Sequence, residues 1–155
     1  MKNNILKKEY IEAFIGKREL KWYEKAFEKY ENNELKFNLI ACIFSYLYLI
    51  YRKCYKAGII IGVIIFFSST FLGEIGNIIS LVVSVLCGLY GPKFVFIRYK
   101  ENLERFENLS ENRVIANLKL VGGFDIKWVI GAVLFTGIFN KILMFVSHGG
   151  YEQFK

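Results

Sequence analysis

Between Lys56 and Lys93 the chain carries one formally charged side chain, Glu74. A water-soluble fold needs polar faces over such a length, whereas a bilayer asks only that backbone groups bond one another inside a helix. Two uninterrupted apolar runs, residues 57–72 and 75–91, flank the turn Gly73-Glu74-Ile75-Gly76. The pattern predicts a helical hairpin that spans the membrane twice and leaves Glu74 in water. A third run, residues 126–146, follows Asp125, which is placed to cap it. Trp128 lies at one rim of that run and Tyr151 near the other.

The predicted fold class is all-α: a polytopic helical membrane protein with three full transmembrane helices at about 57–73, 75–92 and 126–146. The chain reads as one membrane domain over 1–155. Its parts are a cytoplasmic amphipathic segment (1–36), an interfacial helix plus the hairpin (37–92), a cytoplasmic helical linker (93–125), and the last span with a short outer tail (126–155).

Residues 37–51 are apolar but short, roughly 22 Å as a helix against a hydrocarbon core of roughly 30 Å. Asn38, Ser45 and Arg52 repeat every seven residues as a polar stripe, and Tyr46, Tyr48, Tyr51 and Tyr55 suit headgroup depth. This predicts an interfacial or re-entrant helix over 38–56, with a full span as the alternative. Before it, Phe14, Leu20, Tyr23, Phe27 and Tyr30 recur at helical spacing among Lys and Glu, and Asn32-Asn33 breaks the pattern. After the hairpin, Pro92-Lys93 closes the second run. Residues 98–121 are again amphipathic, with Leu103, Phe106, Leu109, Val114, Ile115 and Leu118 on the buried side. Ser110 reads as an N-cap and Gly122-Gly123 as a stop.

Orientation follows from the placement of cations. If 37–51 does not cross, 19 of the 21 Lys and Arg share one side; if it crosses, they divide almost evenly. The first arrangement puts the N-terminus in the cytoplasm and the C-terminus outside. The first 36 residues are too polar to supply the apolar core of a cleavable signal, so an internal span directs insertion. The net charge of +7 sits beside apolar runs, which is the signature of membrane orientation and argues against nucleic acid.

Tyr51, Arg52, Lys53, Tyr55 and Lys56 place aromatics and cations together, and they are expected to anchor the chain to headgroups of an anionic leaflet. Specific binding of one headgroup is the sharper reading of the same residues. Gly58 and Gly62 form one small-residue row, and Ser80, Ser84 and Gly88 another. A hairpin turning at 73–74 sets Gly62 opposite Ser84 and Gly58 opposite Gly88, a close-packing seam; the alternative is a homo-oligomer face. Lys141, beside Asn140 in the last run, is a costly charge for a span. It is expected to snorkel or to pair with Glu74, and a transport role is the alternative. Cys42, Cys54 and Cys87 form no metal-binding spacing, His148 has no partner residue, and the chain has a single Asp. Zinc-protease, serine-nucleophile and paired-aspartate patterns are absent from the sequence. No cofactor, metal or catalytic residue is expected.

The order Phe14-Ile15-Gly16-Lys17, Phe37-Asn38, Tyr51-Arg52-Lys53-x-Tyr55 and Gly122-Gly123 resembles the bacterial membrane proteins grouped as domain of unknown function 2628. The family pattern reads roughly FIGKN, SFNW and YRKMY, then a hairpin and a GG-containing linker. The likeness covers most of residues 10–125 and departs at Arg18, Lys36, Leu39 and Cys54, where Asn, Ser, Trp and Met are usual. The resemblance implies a bacterial inner-membrane location and no particular reaction. The expected function is a non-enzymatic structural or accessory component with a membrane or cytoplasmic protein partner. A small channel, transport or lipid-handling oligomer is the alternative.

Overall fold

The computed structural model describes residues 5–147 and is helical throughout. Its helices are α1 (Lys8–Ile15), α2 (Leu20–Glu31), α3 (Leu39–Phe44), α4 (Tyr46–Tyr51), α5 (Tyr55–Phe71), α6 (Gly73–Arg105), α7 (Glu111–Val121) and α8 (Ile126–Ser147), with a 3-10 turn at Lys17–Glu19. Two compact units divide the chain, one ending at Asp125 and the other beginning at Ile126. The second unit contributes α8, a 22-residue helix that is apolar apart from a few polar positions, Lys127, Asn140 and Lys141 among them. His148 and Tyr151 lie outside the described residues.

The first unit is built on α6. At 33 residues, it runs about 50 Å, well beyond the roughly 30 Å of a hydrocarbon core. The expected end at Pro92-Lys93 does not occur, and residues 93–105 continue the same helix rather than opening a separate linker. Proline lacks an N–H, so the Gly88 carbonyl one turn earlier loses its helical donor. The backbone N–H of Asn38 takes that place at 2.9 Å. The same Asn38 caps α3, its Oδ1 accepting from the Ala41 N–H at 2.9 Å. A neighbour therefore repairs the proline defect, and the helix carries on.

That neighbour is a broken element. The single helix expected over 38–56 is two helices of six residues each, about 9 Å apiece, joined at Ser45 with φ +46°. Neither is long enough to cross. The pair fills the groove between α5 and α6, which overturns the expected seam. A Cβ on Gly62 would meet the Tyr46 ring at 3.0 Å, one on Gly58 the Ile50 side chain at 2.8 Å, and one on Gly88 the Phe37 ring at 2.5 Å. Gly58, Gly62 and Gly88 thus receive α3–α4 and its lead-in, not one another. The hairpin closes on itself nearer its turn, where a Cβ on Gly76 would run into the Ser68 carbonyl. Ser80 bonds back to the Gly76 carbonyl at 2.8 Å, and Ser84 is half-buried. A third element occupies these small faces.

Two helices are long and apolar enough to cross a bilayer, α6 and the run ending in α8. With 17 residues, α5 is apolar but shorter, about 25 Å, so three full spans are not reached by length alone. Large apolar side chains face outward on α5 (Ile59, Val63, Phe67), on the first half of α6 (Ile78, Leu81, Val82) and on α3 (Leu39, Ile43, Phe44).

Beyond Pro92 the packing reverses. Helices α1, α2 and α7 wrap the second half of α6, where Val95, Phe96, Tyr99 and Leu103 face inward. The expected apolar faces are buried as their spacing requires: Phe14, Leu20, Tyr23, Phe27 and Tyr30 on one side, Val114 and Leu118 on the other. Leu109 departs from that pattern and is exposed, because it sits in the turn between helices. Phe27 is central, with ring centroids 5.0 Å from Phe96, 5.1 Å from Tyr99 and 5.5 Å from Tyr23.

Replacing Gly88 with Leu should strip Phe37 and Asn38 from α6 and reopen the Pro92 defect. Thermal unfolding in mild detergent should show a much lower midpoint for Gly88→Leu than for Leu81→Ala, whose side chain is outward-facing.

Candidate functional site

The segment after α4 gathers most of the buried charge. Helix α4 ends with Lys53 at φ +58°. The Cys54 N–H reaches the Leu49 carbonyl at 2.8 Å, and the Lys53 N–H the Ile50 carbonyl at 2.9 Å. This is a Schellman stop, with lysine where glycine is usual. The reversal turns Arg52 inward. Its side chain is 2% exposed, the largest fully buried one among the described residues.

A buried guanidinium needs partners for its charge and its donors. Arg52 lies 4.9 Å from the Tyr23 ring and 5.4 Å from the Tyr51 ring. One terminal nitrogen pairs with Glu19, the other donates to the Ile15 carbonyl at 3.4 Å, and Nε has no protein partner. Behind it the Tyr23 and Tyr48 hydroxyls bond each other. Burial pushes the Tyr23 phenol up to about 12, although Arg52 and the Tyr48 hydrogen bond pull the other way.

Two further cations fasten the chain that leads out of α7. Arg98 donates to the Arg52 carbonyl at 2.9 Å and to the Val121 carbonyl. Lys53 donates to the Gly122 carbonyl at 2.5 Å, closing the end of α7. The Gly123 N–H bonds the Phe14 carbonyl at 2.6 Å, with Gly123 at φ +73°. A Cβ on Gly122 would run into that same carbonyl, so both glycines are required by the backbone. Tyr51 stacks on Phe124 at 5.3 Å, its carbonyl accepts from the Asp125 N–H at 2.9 Å, and Tyr55 donates to the Asp125 carboxylate at 2.7 Å.

Arg52 is therefore not a headgroup anchor: it is spent inside the protein because α4 ends in a left-handed turn. Tyr51, Lys53 and Tyr55 make protein contacts with residues 120–125, and Lys56 is exposed. Glu74 is exposed in the first turn of α6, and Lys141 belongs to the second unit. Spacing and composition give no sign of Glu19 or Arg98, and they place Tyr48 at headgroup depth and Asn38 in a polar stripe rather than in these contacts. The available signal was that Phe14-Ile15-Gly16-Lys17, Tyr51-Arg52-Lys53 and Gly122-Gly123 meet at one node through the Phe14 and Ile15 carbonyls. Among the described residues no group of three His, Cys, Asp or Glu side chains could hold a metal ion.

What these observations define is a helical protein whose apolar helices α5 and α6 are joined to a polar helical layer by a cluster of three cations, of which Arg52 is buried. A profile of the protein-of-unknown-function family DUF2628 matches residues 12–100, more than half of the chain, and the protein belongs to that family. Three of its motif segments lie inside the match, and Gly122-Gly123 lies beyond it. No curated protein and no solved structure gives a significant match.

Removing Arg52 takes away the stacking partner of two tyrosines and leaves Tyr48 and Tyr23 beside a void. Arg52→Ala should cost on the order of 3–5 kcal/mol. Arg52→Lys should recover only part of it, since an ammonium cannot stack and fork at once. Denaturant unfolding in detergent measures both. The raised Tyr23 pKa adds stability that is complete below about pH 10 and lost as pH climbs towards about 12. Tyr23→Phe should flatten that alkaline decline.

Proposed function

We propose that this chain is a multi-pass protein of the bacterial inner membrane that works as a non-enzymatic structural or accessory component. One observation carries the reading: α6 runs unbroken from a half with outward apolar side chains into a half clothed by polar helices. Such a rod ties a lipid-embedded part rigidly to a domain in water, which is more than an anchor needs. The cations at the junction support the same reading. Arg52, Lys53 and Arg98 are engaged with backbone carbonyls and Glu19, which makes them fasteners rather than reagents.

In this reading α5, the first half of α6 and α8 cross, with flanking residues making up the shortfall of α5. The α3–α4 pair dips in and returns on the side of the polar helices. That side is the cytoplasm, because it then holds 19 of the 21 Lys and Arg. Lys56 and Lys93 face the anionic leaflet at the rim. Glu74 lies outside. A channel or lipid-handling oligomer is the second reading, resting on Lys141 and Asn140 within α8.

Reporter fusions test the arrangement. Green fluorescent protein placed before Met1 should fluoresce, and alkaline phosphatase placed after Lys155 should be active. Both ends on one side would remove the three-crossing map. Photo-crosslinking at native expression that captured no protein at any position on α1, α2 or α7 would remove the accessory role.

A further inference from the structure

At the end of α6 farthest from its apolar half lies a cavity of about 490 Å³. Its floor is Ile5, Tyr10, Leu103, Leu109 and Val114, contributed by the segment before α1, by α1, α6 and α7, and by the turn between the last two. Its polar lining is four carboxylates, Glu31, Glu104, Glu107 and Glu111, against one cation, Lys100. In a chain of net charge +7 this is a local inversion of sign. Lys100 lies 3.7 Å from Glu31, and Lys7 pairs with Glu111. Glu104 and Glu107 are exposed and have no ion pair among the described residues.

We propose that this groove receives a positively charged amphipathic helix from a partner protein, its apolar side chains on the floor and its Lys or Arg on the Glu104–Glu107 rim. The inference rests on the accessory reading above and names the chemistry of the partner. Charge complementarity selects the occupant. An apolar floor alone would accept any hydrophobic helix, but the acidic rim rejects an anionic one and rewards a cationic one. Distance matters as well. Glu104 follows Pro92 by twelve residues, about 18 Å along the helix axis, or about two screening lengths at physiological salt. A basic segment held there is held by the groove rather than by the lipid surface.

The test uses the full chain in neutral maltoside micelles and a fluorescently labelled leucine–lysine amphipathic helix, with empty micelles as the blank. Saturable binding is expected, read as anisotropy. The exposed double change Glu104→Lys/Glu107→Lys should weaken it on the order of tenfold or more, with an unchanged thermal midpoint. A leucine–glutamate helix should regain affinity for that variant. Absent saturable binding, equal affinity in the variant, or equal affinity for a lysine-only peptide or for spermidine would each overturn the proposal. A native crosslinked partner retained in full by the double variant would keep the accessory reading and sink this one.

Discussion

A guanidinium withdrawn from water loses several kcal/mol of hydration, and the fold must return it. Around Arg52 the return comes from a carboxylate, a helix-end carbonyl and two aromatic faces, supplied by the 3-10 turn, α1, α2 and α4. Each supplier is thereby fixed relative to the others. The polar helical layer cannot slide over the apolar helices without uncovering that charge. Arg98 and Lys53 extend the constraint to the exit from α7. One ion, placed by a left-handed turn at Lys53, sets the register of the whole junction.

The second constraint is backbone accounting at Pro92. In hydrocarbon or in a packed core an unpaired carbonyl is costly. The proline would ordinarily end the helix, yet here the vacancy at Gly88 is the attachment point for α3. Glycine at 88 lets the Phe37 ring close over the joint. The same residues that weaken α6 as an isolated helix are those that bind the broken helix pair to it.

Much of this was legible beforehand. Helical spacing identified Phe14, Tyr23, Phe27, Val114 and Leu118 as inward-facing, because period alone decides which face an amphipathic helix buries. Short length favoured an interfacial or re-entrant helix over 38–56 without excluding a full span, and the two six-residue helices found there are each too short to cross. The fate of Arg52 was not legible: a cation beside tyrosines at a membrane rim reads the same whether the side chain points to lipid or to protein, and the direction was set by a φ angle at the next residue. Small-residue rows were equally ambiguous, since glycine records that something comes close without recording what. The resemblance supplied the motif strings, and only their convergence in space gave them a physical meaning.

The continuity of α6 has a mechanical corollary. Gly88 and Arg105 are seventeen residues apart on one stiff rod, about 25 Å. A tilt of about 10° imposed at the apolar end sweeps the distal end sideways by about 4 Å, most of a helical turn's pitch. A displacement of the apolar half is thus carried to the far end of the rod rather than absorbed between the two.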